Sequence, residues 1–163
     1  MTEVLSQIEQ FYGHKAIDVT DELESEEYFG LNFKLAGRNI KFRKAKVTPK
    51  KLGHFVTLWT RNTEGKTEPF NECDDFDFCL IVAEEEDQFG FFLFPKHVLI
   101  EKQILTTEIK EVKRGFRVYP VWAKTTNTLA KKSQNWQTKY FINLRNIERN
   151  NLEKLNHLFA RNN

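Results

Sequence analysis

The sequence predicts a mixed α/β (α+β) domain, with a central mixed sheet flanked by N- and C-terminal helices. Three observations carry this expectation. Apolar residues recur at helical spacing near both ends, at Val4, Leu5, Ile8, Phe11 and Tyr12, and at Ile147, Leu152, Leu155 and Phe159. Between them the period falls to two over several short runs. Aromatic residues make up 13% of the chain, fifteen of them Phe, and such side chains suit pleated, half-buried surfaces. At 163 residues the chain can bury a self-sufficient core, so a single domain spanning 1–163 is expected.

The elements follow in order. An amphipathic helix is expected over 2–12, ended by Gly13. The acidic stretch 18–28 has only Val19, Leu23 and Tyr28 as apolar anchors and reads as a loop or a weak helix. Residues 28–33 and 39–47 alternate as strands do, and Thr48-Pro49 closes the second. A strand over 55–59 is closed by Asn62 to Gly65. The run from Phe76 to Ala83 is almost continuously apolar, as in a strand covered on both faces. It pairs with 90–95 in a hairpin across the acids Glu84 to Asp87. A short strand over 116–120, a helix within 124–139, a last element at 140–144 and a helix over 146–160 complete the chain.

The net charge of +2 conceals a block pattern. Residues 1–30 carry −7, 31–66 carry +9, 67–111 carry −9, 112–145 carry +8 and 146–163 carry +1. From Phe42 to Arg61 there is no acidic residue. An edge strand needs only one or two lysines for protection, so this density points to a polyanion, DNA or RNA, if the fold joins the two basic blocks. Arg43, Lys46, Lys50, Lys51, Arg114, Arg117 and Lys139 are the candidate phosphate ligands. The turn from Pro49 to Gly53 is expected to present Lys50, Lys51 and His54 outward. Gln134 and Gln137 could reach base edges, and Trp122, Trp136 and Tyr140 could stack a base or pack in the core.

Several classes are disfavoured. No apolar run approaches the roughly 18 residues of a membrane span, so no membrane partner is expected. The first residues lack a basic stretch followed by an apolar one, so no secretion signal is expected. Cys73 and Cys79 are spaced like no common zinc pattern and read as reduced thiols, which suggests a cytoplasmic protein. The four histidines form no i,i+4 pair, and no Gly-rich phosphate loop or Gly-x-Ser-x-Gly motif is present.

One acidic constellation could carry chemistry. Asp77 opens the apolar strand behind Asp74 and Asp75, and the neighbouring strand ends at Lys96. An acid and a lysine on adjacent strands resemble the layout of metal-dependent nucleases, in which Mg²⁺ bridges a phosphate and activates water. Asp77 would be the metal ligand, with Glu84 or Glu85 as a further one. The residue two before Lys96 is Phe94, where that layout has a carboxylate or amide. The alternative is that these acids are solvated or paired with the basic blocks. No cofactor is expected otherwise.

Four segments, 42–59, 91–96, 113–120 and 135–141, resemble the MepB family. These are small bacterial cytoplasmic proteins named for a gene beside a multidrug efflux pump and its repressor. The resemblance spans about 40–142. It implies a fold similar to type II restriction endonucleases and a role linked to nucleic acid or nucleotide-like compounds. Three functions are therefore expected to compete. They are nucleic-acid binding without efficient cleavage, Mg²⁺-dependent cleavage through Asp77 and Lys96, and capture of a nucleotide or drug-like molecule in a Trp/Phe-lined pocket.

Overall fold

The structure is a computed structural model and describes residues 2–22, 27–112, 115–145 and 150–160. Leu23, Arg114 and Ile147 lie outside the described residues.

A six-stranded sheet forms the centre, in the order β1 (Ile17–Asp21), β2 (Leu31–Leu35), β3 (Arg38–Lys44), β8 (Phe78–Glu85), β9 (Gln88–Pro95) and β11 (Phe141–Asn143). Neighbours are antiparallel except β3 and β8, which are parallel, so the sheet is mixed as expected. The crossover from β3 to β8 contains strands where a helix is usual. It holds β4 (Lys46–Thr48), β5 (Lys51–Thr57) and the hairpin of β6 (Trp59–Arg61) with β7 (Thr67–Pro69). β10 (Gly115–Val118) returns to pair with β5, giving a small sheet of order β10-β5-β4.

Alternation on β8 and β9 explains why these strands read as continuous apolar runs. Phe78, Leu80, Val82, Phe91 and Leu93 face α1 (Thr2–Tyr12) and α4 (Asn151–Ala160), which contribute Leu5, Ile8, Leu155 and Phe159 to that core. Cys79, Ile81, Ala83, Phe92 and Phe94 face the opposite core, with Val56 and Val118 of the small sheet and Leu99 of α2 (Lys96–Glu101). Both faces of the central sheet are thus covered. α3 (Thr128–Gln137) starts at Asn127, whose side chain accepts from the Ala130 N–H at 2.8 Å.

Five expectations change. The acidic stretch begins inside strand β1. The run 39–47 is two strands, because at Ala45 the chain leaves the large sheet after a last bond to Val82 and enters the small one. The flanks of the Asn62–Gly65 turn pair as β6 and β7, and Lys96 begins a helix. Leu152, placed on the buried side of the last helix by its spacing, is 42% exposed, and Leu158 takes that role. No helix among the described residues is long and apolar enough to cross a membrane.

Candidate nucleic-acid interface

The two basic blocks meet at the backbone. β5 belongs to the first and β10 to the second, and they pair over four residues from Gly115↔Thr57 to Val118↔His54. The inner face of this small sheet, with His54, Val56 and Val118, is buried against the large sheet. Its outer face carries Lys46, Thr48, Phe55, Arg117 and Tyr119, in half-buried positions. Lys50 and Lys51, at the β4–β5 turn, are exposed, and neither has an ion-pair partner among the described residues.

Arg117 lies across this face. Its guanidinium donates to Thr48 Oγ1 at 2.7 Å and to the Leu52 and Gly53 carbonyls at 3.3 and 3.4 Å, and sits 5.8 Å from the Phe55 ring. Lys46 pairs with Glu27, and its ammonium stands 4.8 Å from the Tyr28 ring. Lys139 is exposed on the helical turn after α3.

Four residues expected to meet a ligand are instead structural. Arg43 is fully buried between β3 and Phe70. It pairs with Glu22 and donates to the Phe42 and Trp59 carbonyls at 2.8 and 3.0 Å. Gln137 is buried and closes the free edge of β10, accepting from the Tyr119 N–H at 2.7 Å and donating to the Arg117 carbonyl at 2.9 Å. Gln134 similarly ties down the loop before α3, bonding Pro120, Ala123 and Thr125. Trp136 and Tyr140 pack against Phe94, and Trp122 against Phe141.

His54 is the fourth. It is 1% exposed, not outward, because it falls on the inner face of β5. Its Nε2 lies 3.4 Å from Glu85 Oε2, an oxygen that also accepts from Trp122 Nε1 at 3.1 Å. Burial pushes the imidazole below its ordinary pKa of 6.5, against the pull of Glu85. The unfolded chain therefore takes up a proton that the folded chain refuses. This contribution to stability is complete above about pH 6.5 and is lost as pH falls toward the folded-state value. Thermal melts are expected to show Tm falling below pH 6.5, with the fall reduced in His54→Phe.

Asp77 and Lys96 each hold a backbone group at the end of their strands. The Asp77 carboxylate accepts from the Asn39 N–H at 2.8 Å, and the Lys96 ammonium donates to the Asp74 carbonyl, 5.0 Å from the Phe76 ring. Glu84 and Glu85 sit at the far end of the eight-residue β8, roughly 25 Å away at the rise of a strand. Glu84 pairs with Lys44. Among the described residues no three metal-ligating side chains converge. Cys79 is buried with its thiol pushed up to about 12 by burial, which leaves it inert; Cys73 is exposed. A cleft of about 430 Å³ is lined by Ile100, Leu105, Ile109 and Val112 with Glu72 and Glu108, and no Trp or Phe.

A family model described as MepB-like matches residues 22–143. A solved structure described as the crystal structure of MepB is similar over 87% of this chain and 95% of its own, with 35% sequence identity and a TM-score of 0.76. The structure of a bacterial homing endonuclease is similar over 82% of this chain and 84% of its own, with 16% identity and a TM-score of 0.45. No curated protein matches.

Proposed function

This chain belongs to the MepB-like family, and on that premise we propose that it binds nucleic acid across the outer face of the small sheet without efficiently cleaving it. The observation that carries this reading is the β5–β10 pairing, which sets Lys46, Lys50 and Lys51 of one basic block beside Arg117 of the other. Lys50 and Lys51 are open to phosphates as they stand, and Lys46 and Arg117 can join them by exchanging Glu27 and Thr48 for phosphate oxygens, the guanidinium supplying a planar fork and the ammonium groups point charges. Cleavage is set aside because Asp77, Lys96 and Glu84 are each committed to other partners.

A labelled oligonucleotide is expected to shift with the protein at 50 mM salt. With about four phosphates neutralised, affinity should fall roughly 50- to 150-fold between 50 and 200 mM salt, the lower figure for a single strand. No binding at 50 mM, or binding indifferent to salt, would overturn the reading.

A further inference from the structure

We propose that the ligand of this face is an unpaired strand, DNA or RNA, whose bases stack on the aromatic side chains of the small sheet. The inference rests on the reading above and narrows its substrate class.

The register builds a row across the sheet. Lys46 and Arg117 are both paired with Phe55, so the three side chains lie on one face as cation, ring, cation. Tyr28 joins edge-on to Phe55, with ring centres 6.5 Å apart. The same alternation puts Gly53 and Gly115 on this face. A Cβ at Gly115 would come within 2.6 Å of the Phe55 ring, and one at Gly53 within 2.7 Å of the Tyr119 ring. Gly53 also has φ of +83°, a conformation a side chain would strain. Each ring therefore lies low over bare backbone, where a larger residue would lift it. Rings over glycines also stabilise sheets, but that role does not call for cations on both sides of one ring.

The chemistry of the row favours exposed bases. A duplex hides its base faces and offers phosphates and groove edges. Reading those edges takes long polar side chains free to move. The outer face holds two glycines, Thr48, Thr57 and aromatic rings, and its two long polar side chains are tethered, Lys46 to Glu27 and Arg117 to Thr48 and the β5 carbonyls. A splayed base can cover a half-buried ring while its flanking phosphates meet Lys46 and Arg117. Each stacked base adds about tenfold in affinity.

The test uses fluorescence anisotropy on the full chain at 50 mM salt. Labelled 12-nucleotide single strands of DNA and of RNA are compared with their duplexes and with a DNA strand carrying abasic sites. The expected result is that at least one intact strand binds ten times or more tightly than its duplex. The abasic strand should lose about tenfold relative to intact DNA if DNA is bound, and Phe55→Leu should weaken the intact strand but not the abasic one. If Phe55→Leu fails to fold, the comparisons on the native chain still decide. Equal affinity for intact, abasic and duplex ligands would overturn stacking and leave the phosphate reading standing. No binding to any ligand would overturn both.

Discussion

Arg43→Ala is expected to destabilise the protein by about 3–5 kcal/mol, the cost of removing one partner from a buried ion pair. Arg43 is fully buried and shares Glu22 with Lys41, whose ammonium is 2.6 Å from the other carboxylate oxygen. Both cations stand over the Phe70 ring, at 4.9 and 4.6 Å. Burial by itself would raise the Glu22 carboxyl, but Arg43 and Lys41 outweigh it and hold it below its ordinary value of 4.5. The cluster's contribution is thus present above about pH 4.5 and is lost as pH falls through the lower folded-state value. With Arg43 gone, Glu22 keeps its burial and loses its stronger partner, so acid unfolding should begin at higher pH. Chemical denaturation at pH 7 and at pH 5 measures both effects. A loss under 1 kcal/mol at pH 7 would show that Arg43 is not a structural charge. Arg43→Lys should fall between, since an ammonium cannot also reach the Phe42 and Trp59 carbonyls.

The double reversal Lys50→Glu with Lys51→Glu is expected to do the opposite, sparing the fold and removing the function. Both side chains are exposed, so Tm should move little. Affinity for an unpaired oligonucleotide should fall by about two orders of magnitude at 50 mM salt, and the salt slope should flatten by roughly 1.4, the share of two phosphates on a single strand. Unchanged affinity and slope would place the binding surface elsewhere.

These two outcomes also mark what was legible in the sequence. Lys50 and Lys51 could be placed because Pro49 and Gly53 announce a turn. Arg43 could not, since its burial depends on Glu22, 21 residues earlier in a stretch that reads as acidic loop. His54 misled in another way. A single step along β5 decides between the solvent and the core face, and the turn residues alone do not set that parity. The β8–β9 hairpin was readable because both of its faces are apolar. The break at Ala45 was not, because leaving one sheet for another preserves local alternation. Gln137 carries no local signal either, since its partner is the open edge of β10, visible only once β10 is paired with β5.

The arrangement also separates stability from binding within one stretch of chain. Between residues 42 and 61 the inner positions His54 and Val56 seat the small sheet on the large one and Arg43 ties β3 to β6, while Lys46, Lys50, Lys51 and Phe55 face outward. Substitutions at the first set should register in melts and those at the second in binding isotherms.

The most direct measurement is amide chemical-shift mapping of the protein titrated with an unpaired oligonucleotide. Shifts should concentrate in β4, β5 and β10, at Lys46 to Phe55 and Gly115 to Tyr119, with little change around Asp77 and Lys96. Shifts centred on Asp77 and Lys96, with the small sheet silent, would contradict binding at this face.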